Sequence, residues 1–138
     1  MTLYYEDVPA DDSDVPQLPP LLTAVAVPSG PNVHHKAIAL AASSEVGTIF
    51  YSEAVDRMHI AVVLGPEVAV ADASQMLFAM MIGVGDAIGA LAPPEVAVSY
   101  QMPGYILLNN GRAGVVRMAV DLAAGADSVP NWMVVSAE

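Results

Sequence analysis

The chain has no cysteine among its 138 residues, which excludes disulfide frameworks, thiolate metal sites and cysteine nucleophiles. Positive charge is also scarce, because 4 Lys and Arg residues face 15 Asp and Glu residues and the net charge is -11. A surface of this sign repels phosphate backbones and anionic lipid headgroups. We therefore predict that the protein binds neither nucleic acid nor membrane surfaces.

Long hydrophobic runs are missing as well. The longest one, residues 76–85, is about half of the ~20 residues that a membrane-spanning helix needs. The N-terminal sequence MTLYYEDVPADD lacks the basic start of a secretory signal. We therefore expect a cytoplasmic protein, and a content of 55% hydrophobic and 14% charged residues is typical of one globular domain at this length.

The first twenty residues differ from the rest in composition. They contain five acidic residues, four prolines and no basic residue. Such a segment offers little apolar surface against a backbone ordering entropy of about 1–2 kcal/mol per residue. We predict an extended arm over residues 1–20 and a folded domain over residues 21–138, with an acidic docking tail as the functional alternative for the arm.

Seven runs of β-branched, aromatic and alternating residues predict strands. The first, LLTAVAV, is apolar on both faces, as in a buried strand. The second and third are joined by a short polar link and predict a hairpin. Asn109-Asn110-Gly111 lies between the fifth and sixth runs, and Asn-Gly favours a type I′ hairpin turn. The predicted strands are residues 21–27, 47–53, 57–64, 96–100, 105–109, 113–122 and 132–137, with a loop over 123–131.

Two segments with helical spacing predict helices. The first covers residues 33–42, capped by Asn32 and ended by Ser43-Ser44. The second covers residues 69–91, with Asp72 as its cap and three glycines (83, 85 and 89) where it presses on a sheet. The pattern predicts an α+β fold: a mixed, mostly antiparallel sheet with two helices on one face. The chain ends at Glu138, directly after the last predicted strand, which we interpret as a truncated domain or a strand edge completed by a partner subunit.

Candidate chemical groups form no recognisable constellation. In His34-His35-Lys36 adjacent side chains diverge by about 100° on a helix, which favours a polar outer face over a metal site. A lone strand histidine such as His59 is more often solvent-facing or satisfied in the core than catalytic. The carboxylates are scattered, no serine lies in a Gly-x-Ser-x-Gly elbow, and no glycine run matches a P-loop. Met76, Met80 and Met81 are interpreted as core filling, and no metal site is predicted.

The runs GTIFYSE and RMHIAVVL, the helix before ALAPPEVAV, and the hairpin region 95–120 resemble the catalytic domain of the biotin and lipoate protein ligases, and in particular its shortened ligase-like branch. The resemblance covers residues 21–137. It implies a class II aminoacyl-tRNA synthetase/biotin synthetase-like fold with a seven-stranded mixed sheet. It also implies an acyl-adenylate made from ATP and biotin or lipoate, and transfer of the acyl group to a lysine of a carrier domain.

The resemblance also implies a site. The family's Lys-Trp-Pro-Asn-Asp box falls on residues 101–105, where only Pro103 is retained. The lysine of the family's Lys-x-x-Gly element falls near Gly111-Arg112, and its Gly-Arg-rich adenylate loop is reduced to residues 53–56. Lys36, the one lysine of the chain, is remote from both motifs. The implied ligand-binding residues are Gln101, Met102, Pro103, Gly104, Arg112 and Gly114.

Adenylation needs fixed positive charge where negative charge develops on phosphate and carbonyl oxygens. Arg112 is the candidate catalytic cation, although arginine does not replace lysine conservatively at such sites. Our first hypothesis is a catalytically degenerate ligase-like domain that binds a small acyl or nucleotide ligand. ATP and biotin or lipoate are cofactors only if the family activity is retained. The alternative is a non-enzymatic homo-oligomer that associates through its sheet, and a third hypothesis is active ligation through Arg112.

Overall fold

The computed structural model describes residues 15–28, 31–121 and 123–138. Most of the predicted arm, residues 1–14, lies outside this part of the chain. The helices and strands in chain order are β1 (Thr23–Val27), α1 (Val33–Leu40) with a 3-10 turn (Ala41–Ser43), β2 (Thr48–Ser52), β3 (Ile60–Leu64), α2 (Val70–Ala73), α3 (Met76–Leu91), β4 (Val98–Gln101), β5 (Tyr105–Leu108), β6 (Gly111–Val120) and β7 (Met133–Ala137).

The strands form one seven-stranded sheet in the order β1-β2-β3-β7-β6-β5-β4. β1 runs parallel to β2, and the remaining neighbours run antiparallel. This confirms the predicted mixed, mostly antiparallel α+β sheet and the hairpin of β2 and β3. β7 lies at the centre, paired with β3 on one side and β6 on the other, so the interpretation of its edge as open to a partner subunit is wrong.

The two main helices lie on opposite faces of the sheet. In β7, Val134 belongs to the apolar cluster beneath α1, whereas its neighbours Met133 and Val135 belong to the cluster beneath α3. Successive strand residues point to opposite faces, so these two clusters lie on either side of the same strand. The expectation that both helices cover one face is therefore wrong. The sequence of a strand that is buried on both faces does not reveal which face each helix covers.

β1 differs from the prediction in its burial. The sequence predicts a buried strand, but β1 lies at the edge of the sheet, and Val27 is its one buried residue. Val25 is 38% exposed. A short apolar run such as LLTAVAV cannot by itself distinguish a central strand from an edge strand, because the strand order decides which of the two it becomes.

The hairpin between β5 and β6 is confirmed. Asn109 and Asn110 have φ angles of 49° and 67°, and Leu108 pairs with Gly111. Both loop residues are therefore in the left-handed region that a type I′ turn requires. The turn is centred on Asn109-Asn110, one residue earlier than the Asn-Gly pair that we predicted.

Asn32 caps α1 as predicted, since its Oδ1 accepts a hydrogen bond of 3.0 Å from the backbone N–H of His35. The second helix is not continuous. It is divided into α2 and α3, and Asp72 does not cap it. The N–H groups of Val70 and Ala71 donate instead to the carbonyls of Ser128 and Ala126. A distant loop thus caps α2, which no local pattern could predict.

The helix glycines have different surroundings. A side chain at Gly85 would collide with the Tyr100 ring of β4, as expected for a close helix–sheet contact. A methyl group added at Gly83 or Gly89 would meet no heavy atom within 4 Å, so the same expectation is wrong for them. Of the three methionines interpreted as core, Met81 is buried, Met80 packs against the core and Met76 is exposed.

Taken as one segment, α2 and α3 span 22 residues (Val70–Leu91) and reach the length and hydropathy of a membrane-crossing helix. The mean hydropathy of the most apolar stretch is 1.4, and 11% of that stretch is buried. Length and composition alone do not separate such a segment from a helix that packs on a sheet. α3 contributes Met81 and Val84 to the core that it shares with β5, β6 and β7. It is a packed helix whose outer face is also apolar.

Candidate functional site

The main cavity, which we call the central cavity, has a volume of about 600 Å³. It lies at the end of β7, between the segment that leads into β3 and the β5–β6 hairpin. Its apolar wall comes from α3 and β5, and its charged rim from the β2–β3 link, β6 and the residue after β7. The apolar lining residues include Val84, Ile88, Ile106 and Leu108, and the charged ones are Asp56, Arg57, Arg112 and Glu138.

Arg112 is held in place by two contacts. Its Nε donates a hydrogen bond of 3.1 Å to Oε1 of Gln101, and its guanidinium lies 4.0 Å from the centre of the Tyr105 ring. A cation over an aromatic face gains about 0.5–1 kcal/mol at an exposed site. These neutral partners orient the guanidinium and leave its charge uncompensated.

The other predicted site residues are divided between the cavity and its surroundings. Gly114 lines the cavity with Arg112, and a Cβ at Gly114 would lie 2.8 Å from the carbonyl oxygen of Glu138. Gln101 does not line the cavity, but it accepts a hydrogen bond from Arg112, which does. Met102 and Pro103 are joined by a cis peptide bond and are exposed outside the lining. Gly104 is buried and accepts a hydrogen bond of 2.7 Å from the backbone N–H of Val116.

Sequence reasoning missed the residues from the β2–β3 link and from the end of β7. Asp56, Arg57 and Met58 line the central cavity beside Glu138. The resemblance placed the family's adenylate loop over residues 53–56, one residue before Arg57. The nearness of this loop was the sequence signal for Arg57. Glu138 had no such signal, because it is the strand order that brings it to the cavity.

Glu138 joins two arginines. Its Oε1 lies 3.2 Å from Arg57 Nη1, and its Oε2 lies 3.3 Å from Arg117 Nη1. The two arginine side chains are 61% and 46% exposed, so each pair contributes about 0–1 kcal/mol. Burial raises the pKa of the Glu138 carboxyl, but His59 and the two arginines outweigh it and hold that pKa below its ordinary value.

Two histidines are buried on the α1 face of the sheet. Nδ1 of His34 lies 2.6 Å from the hydroxyl of Ser136, so the predicted polar outer face holds for His35 and Lys36 and is wrong for His34. His59 is 5% exposed, and its Nε2 has no hydrogen-bond partner among the described residues. It is therefore neither solvent-facing nor satisfied. Burial lowers the pKa of both imidazoles, and Arg117 adds to the lowering; the Glu138 carboxylate opposes it at His59 without reversing the direction.

The buried histidines predict a loss of stability in acid. Below about pH 6.5 the unfolded histidines bind protons that the folded ones exclude, so the free energy of unfolding falls by up to about 1.4 kcal/mol per pH unit for each histidine. Glu138 adds a loss of the same sign at lower pH, because its folded pKa is depressed. Urea unfolding from about pH 7.5 to about pH 5.5, roughly one unit either side of the ordinary histidine pKa, measures the slope.

The variant His59→Gln should show a shallower slope than the parent protein, since it removes one of the two contributions. His35→Gln is the matched control, because His35 is exposed on the same helix as His34. Equal slopes in the parent protein and in His59→Gln would contradict the prediction.

Comparison with known proteins identifies relatives of this chain. Residues 18–138 match the biotin/lipoate A/B protein ligase family. No curated protein matches the chain. A solved structure of a biotin protein ligase-like protein of unknown function from Silicibacter sp. TM1040 is 36% identical, with a TM-score of 0.81 over 88% of this chain and 53% of that one. The chain thus spans about half of that relative's length.

The family match extends over nearly the whole described part of the chain and includes the β2–β3 link and the β5–β6 hairpin, the two segments that line the central cavity. The solved relative shares the fold over 88% of this chain. The chain belongs to the biotin/lipoate A/B protein ligase family.

Proposed function

We propose that this domain binds a small carboxylic acid of the biotin or lipoate type in the central cavity and does not ligate it. The observation that carries the proposal is Arg112. Among the described residues that line the cavity, it is a cation without a carboxylate partner, and it stands beside the apolar wall of Val84 and Ile88. An apolar wall with one oriented charged group suits an acyl chain that ends in a carboxylate.

The charges of the rim favour a monocarboxylate over a nucleotide. Arg57 is paired with Glu138, and Asp56 lines the same rim. The two cations and two carboxylates of the rim sum to a formal charge of zero, so the rim offers little attraction for the several negative charges of a triphosphate. Binding of the acyl ligand alone is therefore favoured over binding of ATP.

The same positions argue against catalysis. Formation of an acyl-adenylate joins the acyl carboxylate to the α-phosphate with release of pyrophosphate, and fixed cations must stabilise the charge on both groups. By the resemblance, Gln101 and the pair Gly111-Arg112 stand where the family motifs carry lysine, and Gln101 accepts a hydrogen bond from Arg112. Arg112, which contacts Gln101 and Tyr105, is therefore the cation available where the family motifs lead us to expect two lysines.

A thermal-shift series tests the proposal with biotin, lipoate, biotinyl-AMP and ATP. We expect one of the acyl acids to raise the Tm, because bound ligand raises the free energy of unfolding by RT ln(1 + [L]/Kd). We expect a smaller rise in Tm with ATP. Arg112→Ala should weaken acyl binding by about 10- to 100-fold, the loss of one hydrogen bond to a charged group. Lys36→Ala is the control, because it removes one positive charge on the exposed side of α1.

Three results would contradict the proposal. The binding claim fails if none of the acyl ligands raises the Tm, or if Arg112→Ala binds as tightly as Lys36→Ala. The claim of lost catalysis fails if the protein releases pyrophosphate from ATP in the presence of biotin or lipoate. In that case Arg112 would be tested as the catalytic cation.

A second candidate function rests on the outer edge of β1. Its five residues, TAVAV, carry no charge and no proline, and their outward N–H and C=O groups are the type of edge to which another strand can add. We propose as the alternative a structural module that forms a homo-oligomer through this edge. Light scattering that shows a monomer at all protein concentrations removes its support.

A further inference from the structure

A second cavity lies at the opposite end of β7 from the central cavity. It has a volume of about 420 Å³ and is formed where the 3-10 turn after α1 meets the ends of β3 and β6 and the start of β7. We call it the Trp132 niche, after its aromatic residue. Its lining includes Ala42, Ser44, Asp121, Asn131 and Trp132.

The electrostatic character of the niche is negative. Asp121 is the one formal charge among its lining residues. The C-terminal end of α1 and its 3-10 turn also face this region, and neither has a basic residue in its last turn. A basic side chain near the C-terminal end of a helix stabilises the negative end of its dipole. This end has no such residue: the hydroxyls of Ser43 and Ser44 donate to the carbonyl of Leu40 instead, and the protein has a net charge of -11.

Asp121 is oriented without being neutralised. Its Oδ1 accepts a hydrogen bond of 3.1 Å from the backbone N–H of Ala123, and its Oδ2 accepts one of 2.8 Å from the side-chain amide of Asn131. Both donors are neutral. The ion pairs of the described residues all involve Glu138, so the charge of Asp121 remains available to a ligand.

Trp132 supplies the second half of the niche. It is partly buried, packs against the core beneath α1 and contributes to the lining. The electron-rich face of an indole is the best aromatic partner for an organic cation, and carboxylate charge beside it adds to the attraction. An inorganic cation, by contrast, prefers several oxygen ligands at fixed distances.

We propose that the Trp132 niche binds a small organic cation through its ammonium group, with Asp121 opposing the charge and Trp132 contacting the alkyl substituents. The proposal is independent of the acyl ligand of the central cavity, because the two cavities share no lining residue. It assigns the niche a ligand of opposite charge to the one proposed for Arg112.

Trp132 is the one tryptophan of the chain, so intrinsic fluorescence reports directly on the niche. Titration with choline should give a saturable change in emission, while its neutral isostere 3,3-dimethylbutan-1-ol and sodium chloride should not. Asp121→Asn should weaken choline binding by about tenfold, the loss of one charge contact. Asp127→Asn is the matched control, because it removes the same charge from an exposed position in the same loop.

A saturable change with the neutral isostere of equal size, or an equal loss of affinity in the two aspartate variants, would overturn the proposal. The absence of a saturable change with choline would overturn it as well. Because Asp121→Asn also alters two hydrogen bonds, Trp132→Phe provides a second test by ligand-observed NMR. It should retain the fold and weaken choline binding, whereas unchanged binding contradicts the aromatic contact.

Discussion

Replacing Gly47 with alanine is expected to lower the free energy of unfolding by about 2–5 kcal/mol. This figure adds the cost of a non-glycine residue in the left-handed region to the cost of displacing a neighbouring group. Gly47 has a φ of 91°. A Cβ at this position would collide with the backbone carbonyl oxygen of Leu21. Both effects act on backbone atoms, so a side-chain rotation cannot relieve them.

The surroundings of Gly47 explain why the effect should spread. Its N–H donates a hydrogen bond of 2.8 Å to the carbonyl of Val63, and its own carbonyl accepts one of 3.1 Å from the N–H of Thr23. The residue therefore links the start of β1 to the end of β3, with β2 between them. Displacement of this point weakens the parallel pairing that holds β1 at the edge of the sheet.

Gly83→Ala is the matched control for the same chemical change. Gly83 lies inside α3, is exposed, and has no heavy atom within 4 Å of the added methyl position. Alanine should therefore stabilise the protein by about 0.5–1 kcal/mol through its helix propensity. Urea unfolding of both variants measures the two effects, and the same sign for both would contradict the structural explanation.

Replacing Ala113 with tryptophan is expected to abolish the rise in Tm that an acyl ligand causes. Ala113 is exposed and lines the central cavity. It is the extra residue of the bulge between β5 and β6, where Ile106 pairs with Gly114 and Leu107 with Arg112. A bulged residue takes no ladder partner, so a large side chain can enter the cavity without breaking strand pairing.

Thermal denaturation with and without the acyl ligand measures this result. The Tm without ligand should change little, because Ala113 is not part of the core. Ala79→Trp is the control, since Ala79 is exposed on α3 and does not line the cavity; it should retain the full ligand effect. A normal ligand effect in Ala113→Trp would place the acyl ligand elsewhere, whereas loss of the effect in Arg112→Ala would still support a role for the arginine.

The two variants of the cavity separate shape from charge. Arg112→Ala removes a cation that Gln101 and Tyr105 hold in position, and it leaves the apolar wall intact. Ala113→Trp retains that cation and fills the space before it. If the ligand is an acyl chain that ends in a carboxylate, both variants must weaken binding, because the chain needs the space and the carboxylate needs the charge.

Much of the local structure followed from short-range patterns. The alternation of residues 57–64 and 105–109 predicted strands, and the two asparagines before Gly111 predicted the hairpin turn, because positive φ is tolerated by few residue types. Asn32 could be recognised as a cap for the same reason: its side chain bonds a backbone group three residues away. The resemblance of residues 95–120 extended these patterns to a family and to the position of Arg112.

Other features were inaccessible to such reasoning because they join residues that are remote in the chain. Ser136 and His34 are 102 positions apart, and Arg57 and Glu138 are 81 apart. His34 was expected on an outer helix face, but α1 turns it toward β7. Asp72 was expected to cap a helix that is instead capped by the loop carbonyls of Ala126 and Ser128. Each of these contacts depends on a tertiary partner that no local pattern reveals.

By itself, the sequence determined the strands, the main helices, the hairpin and the α+β class, since these depend on periodicity and turn chemistry within a few residues. The tertiary structure alone decided that β1 is an edge and β7 the centre, and that the helices lie on opposite faces. It also brought Arg57, Glu138 and Arg112 to one cavity, because the order of strands in a sheet determines which distant residues become neighbours.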